Sequence, residues 1–385
     1  MAKVFVNEEV LKWARESINL SLEDVAGRMK KSVDIIQSWE EGTDAPTYSQ
    51  LEKLAYEIYK RPLAVFFFPN PPKEESPKKS FRTLPEFEYS KFPASVIRLF
   101  RRAQSMQIKL NELCEGKNPV EKIIIDEPII SLNQTAKQIT NKVRDYLGVT
   151  LEKQISWNNP DEALNNWRDV IEKYGIFVFK DAFKEPGISG FCLYDNEFPI
   201  IYLNNSMPKT RQIFTLFHEL VHLLFKTGGV DKISDDYIDS LPKNDRKIEV
   251  LCNQVAGDFL VPENDFKKQL SGLYIDEKSI SALANRYTVS REVILRKLLD
   301  KGLVSQNFYV EKATEWIEEA KARPKSSGGD YYATKVVYLG YSYLDIVFRN
   351  YYRNRISLDQ AAEYLSIKTN QVTNFENAWV RRGLS

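Results

Sequence analysis

The stretch RQIFTLFHELVHLLFK, residues 211–226, is apolar enough to form a buried helix, and neither Pro nor Gly interrupts it before Gly228 and Gly229. It holds the only two histidines of the 385-residue chain, His218 and His222. Residues four apart share a helix face, so the two imidazoles can converge on one tetrahedral zinc ion, with Glu219 beside it as a general base. Two buried histidines without such a role would need polar partners that the flanking Leu and Phe residues cannot supply.

A zinc site with an open position needs a third protein ligand. No further histidine exists, and Cys114, Cys192 and Cys252 lie far apart with no C-x-x-C pair. A carboxylate on a later element is therefore expected. The candidate is Glu249 in KIEVLCNQVAGDFLVP, where Ile248, Leu251, Cys252, Val255, Ala256, Phe259 and Leu260 recur at helical spacing and Pro262 closes the run. Chemistry alone leaves other acidic residues eligible. Asn253, one turn after Glu249, is a candidate to hold that ligand in place.

IIYLNNSMPKTRQIFTLFHELVHLLF followed by EVLCNQVAGDFLVP resembles the ImmA/IrrE family of zinc metallopeptidases over about 150 residues, from near Trp157 to Lys301. The resemblance implies metal ligands at His218, His222 and Glu249 and a general base at Glu219. Cys252, Val255 and Val221 depart from the family's usual Ala, Phe and Gly without removing a ligand. Zinc in such a site polarises the scissile carbonyl and acidifies water, while Glu219 takes a proton and returns it to the leaving amine. The oxyanion donor is not evident from the sequence; Tyr202 and Tyr237 are candidates.

Upstream, residues 7–60 show helical bursts broken near Asn19, Lys31 and Gly42 to Pro46, with Ser21 and Ser32 as N-cap signals. This pattern, with W-E-x-G at its end, resembles the Xre/Cro helix-turn-helix domain. By analogy Val33 to Glu41 is the reading helix, with Ser32, Asp34, Gln37 and Ser38 facing outward and Lys30 and Lys31 near phosphate. Residues 1–69 nevertheless hold 9 basic against 11 acidic side chains, net −2. Operator DNA would then be held weakly unless a homodimer or basic groups elsewhere contributed, such as Arg98, Arg101, Arg102 and Lys109 on the expected helix Ala94 to Leu113.

Downstream lies an echo. Adding 336 aligns Ser21 with Ser357, Leu22 with Leu358, Ala26 with Ala362, Met29 with Leu365, Ile36 with Val372, Trp39 with Phe375 and Glu40 with Glu376, without a gap. A second helix-turn-helix-like unit is expected there, with Lys368, Thr369, Asn370 and Gln371 opening its reading helix; a helical cap on the peptidase is the other reading.

The expected class is α+β. An all-α helix-turn-helix domain (1–69) leads through a linker (70–93) and a helical connection (94–155) to a zincin-like peptidase (156–302) with a small sheet. A helical C-terminal domain (303–385) follows. A strand is expected at Ile176 to Phe179 and a hairpin at Gly190 to Tyr194 and Ile200 to Leu203, one strand aligning an extended substrate.

With 54 basic and 53 acidic side chains the net charge is +1, which excludes a global pull toward nucleic acid or an anionic membrane. The odd, dispersed cysteines fit a reducing cytoplasm. The start offers no signal peptide, and no apolar run reaches the ~18 residues of a membrane span. The resemblance to the ImmA/IrrE family implies a cytoplasmic zinc endopeptidase that cuts a repressor-like regulator or a cognate toxin. The alternative is a DNA-binding regulator or antitoxin that uses the peptidase fold as a scaffold.

Overall fold

The computed structural model describes residues 2–73, 89, 91–185, 187–233, 237–322 and 330–383. Most of the expected linker at 70–93 and the stretch RPKSSGG at 323–329 lie outside the described residues. The chain divides into two compact units, Met1–Gln104 and Ser105–Ser385. The fold is α+β, as expected.

In the first unit, helices α1 (Glu8–Glu16), α2 (Leu22–Met29) and α3 (Val33–Glu40) bury Val10, Leu11, Ala14, Val25, Ala26, Ile36 and Trp39. Ser21 caps α2 in a reciprocal pair with Asp24. Ser32 stands at the N-cap of α3, but its hydroxyl makes no capping hydrogen bond. Left-handed residues at Asn19 and Lys30 end the first two helices, and Arg15 on α1 holds Glu40 on α3 at 2.8 Å.

The second unit is built on a four-stranded sheet in the order β1-β3-β2-β4. Its strands are β1 (Phe177–Asp181), β2 (Ile188–Leu193), β3 (Ile200–Asn204) and β4 (Gly229–Lys232). β1 runs parallel to β3; β2 is antiparallel to both β3 and β4. The expected hairpin is therefore β2–β3. β4 was not foreseen, because four residues, GVDK, offer too little alternation to register as a strand.

Side chains alternate across the sheet. Val178, Cys192, Ile201 and Leu203 share a core with the helix Lys209–Leu224 and the helix Lys243–Leu260. Phe217 on the first helix stacks on Phe259 on the second at 4.2 Å, and Trp167 meets both edge-on. Phe179, Phe191 and Tyr202 form a second aromatic layer, in which Tyr343 meets Phe179.

Side chains engage the edge of β1 at Val178. Glu172 Oε1 accepts the Val178 N–H at 3.3 Å, and Arg168, paired with Glu172 at 3.1 Å, donates to the Val178 carbonyl. Arg168 also donates to Val337 O at 2.6 Å, and Ser342 Oγ donates to Glu172 Oε2 at 2.7 Å, tying the helices Tyr331–Leu339 and Tyr341–Tyr352 to this edge. Gly340 is required at this junction: its φ is +85°, and a Cβ would overlap the Arg168 guanidinium.

Lys180 on β1 is 2% exposed, and burial, reinforced by Arg168 and Lys209, holds its pKa well below the usual lysine range. The folded chain thus binds fewer protons there than the unfolded one, so Lys180 makes stability rise with pH until the unfolded lysine also deprotonates near ~10.4. Lys180→Met is expected to raise the melting temperature at pH 7 and to flatten the alkaline climb, read by thermal melts between pH 7 and 10.

Candidate metal centre

His218, Glu219 and His222 lie on the helix Lys209–Leu224, and Glu249 on the helix Lys243–Leu260. All four are buried, at 0–1% exposure. The two Nε2 atoms are 3.2 Å apart; Glu249 Oε2 is 3.5 Å from His218 Nε2, and Oε1 is 3.4 Å from His222 Nε2. One donor atom from each residue lies within 4.8 Å of the others, as three ligands around one ion require. No other described group of His, Cys, Asp or Glu converges in this way.

The remaining ring nitrogens are tied outside the site. His218 Nδ1 meets Asn253 Oδ1 at 3.0 Å, and His222 Nδ1 meets Thr227 Oγ1 at 3.4 Å, which leaves both Nε2 atoms facing inward. Asn253, read from the sequence as a support for Glu249, turns its oxygen to His218. Glu249 Oε2 accepts instead from the Tyr237 hydroxyl at 3.1 Å, so Tyr237 supports a ligand in this structure. Tyr202 cannot serve as an oxyanion donor: strand alternation puts it, 2% exposed, in the aromatic layer with Phe191 on the far face of the sheet.

Electrostatics hold the donor set together. Burial disfavours a charged His218, yet Asp231 and Glu249 outweigh this and push its pKa up to about 9. Burial also opposes a charged Glu249, but His222 and His218 hold its carboxyl well below the usual range. Burial pushes the Glu219 carboxyl up, against the pull of both histidines. These cross-attractions belong to protons on imidazoles that a cation would displace, so the donor chemistry fits a divalent ion.

Glu219 is aimed by β4. Its Oε1 accepts the Asp231 N–H at 2.9 Å, and its Oε2 is buried with no hydrogen-bond partner. Asp231 itself is 3% exposed and accepts from Thr215 Oγ1 at 2.6 Å and from Arg211 at 2.7 Å, and Arg211 also reaches Ser189 Oγ at 2.9 Å. Asp231, Thr227 and Ser189 were missed in the sequence: Thr227 and Asp231 were marked only by their nearness to the histidine helix, and Ser189, on β2, by nothing. Gly229 is fixed by packing, since a Cβ there would overlap the His222 imidazole. Gly229→Ala is expected to weaken metal retention by about tenfold or more, measured by competition with a chelator.

A cleft of about 790 Å³ is lined by Asn253 and Phe214, both neighbours of His218, and runs on past Arg211, Arg246, Asp258 and Arg296; none of the three donors or Glu219 lines it. Its charged walls suit a polar chain better than a small apolar ligand.

Residues 171–299 match the family profile of the IrrE N-terminal-like domain, and residues 11–55 match a helix-turn-helix profile. The chain thus joins a helix-turn-helix domain to an IrrE N-terminal-like domain. It is 30% identical over 110 residues to the radiation response metalloprotease IrrE of Deinococcus radiodurans. That match covers 28% of this chain and 33% of the relative, so the likeness spans about a third of the relative's length. A transcriptional regulator of Mycobacterium tuberculosis shares 18% identity at a TM-score of 0.30 over 46% of this chain and 50% of that one, which is too slight to carry an argument.

In the helix-turn-helix domain, Lys30, Lys31, Ser32, Asp34 and Gln37 are exposed, whereas Ser38 is half-buried and donates to Ile35 O at 2.8 Å. Gln37 donates to Glu41 at 2.6 Å. The outward face thus carries the carboxylates of Asp34 and Glu41 beside the two lysines. No described helix is long and apolar enough to cross a membrane.

Proposed function

We propose that this chain is a cytoplasmic, zinc-dependent regulatory endopeptidase that cuts a repressor-like protein or a cognate toxin. The observation that carries the reading is the convergence of His218, His222 and Glu249 beside a Glu219 oxygen that is buried and unpartnered. Zinc, when bound, polarises the scissile carbonyl and acidifies the attacking water. His218, His222 and Glu249 hold the ion. Glu219 Oε2 takes the proton from the water and returns it to the leaving amine, while Oε1 stays fixed on the Asp231 N–H. The cleft beside Asn253 takes the substrate chain.

The proposed division into domains is the one expected from the sequence, with residues 1–69 as the unit that brings the peptidase to operator DNA or to a protein partner. The helix-turn-helix match favours a second reading, a DNA-binding regulator or antitoxin whose peptidase fold is a scaffold. Zinc content separates the two. Elemental analysis after dialysis is expected to give about one zinc per chain in the wild type and little in His222→Ala. A wild-type protein that holds no zinc even after it is added back would defeat the peptidase reading.

A further inference from the structure

The C-terminal segment repeats the helix-turn-helix of the first unit in detail. Ser357 caps the helix Leu358–Leu365 in a reciprocal pair with Gln360, as Ser21 caps α2 with Asp24. That helix ends on left-handed Ser366 (φ 52°), as α2 ends on Lys30 (φ 55°). Beyond the turn, Ile367 N donates to Ala362 O at 3.0 Å, as Lys31 N donates to Ala26 O at 3.0 Å. The following helix buries Val372 and Phe375 where α3 buries Ile36 and Trp39. Glu376 is held from the preceding helix by Tyr352, the part that Arg15 plays for Glu40.

The two copies differ on the face turned to solvent. In α3 and its end that face carries Asp34, Gln37, Ser38 and Glu41; at the same places the C-terminal copy has Asn370, Thr373, Asn374 and Asn377. All four are exposed, and Lys368, Thr369 and Arg381 extend the stripe along the turn and the helix Val372–Gly383. None of these seven side chains is a carboxylate; exposed Asp359 borders the stripe, accepting from Thr369 Oγ1 at 2.7 Å, and Glu376 accepts from Tyr352. Asn side chains pair with adenine edges and Thr methyls with thymine, while cations at the two ends of a reading helix neutralise phosphate.

We infer that the C-terminal helix-turn-helix, through Lys368, Asn370, Thr373, Asn374, Asn377 and Arg381, is a binding surface for duplex DNA. This assignment is independent of the peptidase reading. Residues 345–385 carry six basic and four acidic side chains, net +2, against net −2 for residues 1–69, so the phosphate term favours the C-terminal copy.

The test uses the full chain and a fluorescent mixed-sequence 30-base-pair duplex, read by polarisation at low and moderate salt. The wild type is expected to bind, more weakly as salt rises. K368E/R381E is expected to lose about tenfold or more in affinity and to flatten the salt slope by about 2, because two phosphate contacts are removed. K30E/K31E is expected to bind nearly as the wild type does. Selection from a random duplex pool is expected to yield a preferred site with the wild type and none with N370A/N374A. Unchanged melting temperatures in these exposed variants separate lost contacts from lost folding. A wild type that does not bind at low salt overturns the inference, as does duplex binding that survives K368E/R381E, the result expected if this face takes a protein instead. Loss of binding in K30E/K31E alone overturns it as well.

Discussion

Glu219→Gln is expected to abolish peptide hydrolysis and to leave the zinc content of the protein unchanged. Gln has the size of Glu, and its carbonyl can still accept the Asp231 N–H that holds Oε1 at 2.9 Å. The change falls on the other oxygen, which is buried and makes no hydrogen bond, in a carboxyl on which the attraction of both imidazoles acts. An amide there cannot take a proton. Removal of a general base costs on the order of 10²–10⁴ in rate, so cleavage of a substrate that the wild type cuts should fall below detection in ordinary assays. Zinc retention by elemental analysis is the control, because none of the three donors is altered. Turnover within about tenfold of wild type would remove Glu219 from the proton path.

The second large effect concerns stability. Arg168→Ala leaves the Glu172 carboxylate buried without its ion-pair partner, keeping the hydrogen bonds from Ser342 Oγ and the Val178 N–H, and it strips donors from the carbonyls of Val178 and Val337. Breaking a buried ion pair from one side costs about 3–5 kcal/mol. The variant should therefore melt well below the wild type. Arg168→Met combined with Glu172→Gln removes both charges and should recover much of the loss. Equal melting of the single and double variants would show that the guanidinium acts by filling space and not by answering a charge.

Much of the site was legible because its chemistry is periodic. Two histidines four apart on an apolar run have one economical explanation, and Glu249 followed from the match of a second helix. The supports were harder to read, because they act across the fold. Asn253 has the spacing to face Glu249 along its own helix, yet packing between the two helices turns its oxygen to His218. Tyr237 and Tyr202 were indistinguishable in the sequence; one is beside Glu249, and strand alternation carries the other to the opposite face of the sheet. Asp231 was hidden by brevity, since GVDK has no pattern long enough to declare a strand. The N-terminal helix-turn-helix was readable, and so were the helices of the C-terminal echo, because caps and turns leave local marks. The difference between their solvent faces gained meaning only once burial separated core from stripe.

The Arg168–Glu172 pair on Val178 has a bearing on how copies of this protein can meet. Sheets with two bare edges can add strands indefinitely and grow into fibres. Here the outward N–H and carbonyl of Val178 on β1 are already answered by Glu172 and Arg168, so a strand approaching this edge would have to displace a buried ion pair before it could form its first ladder bonds.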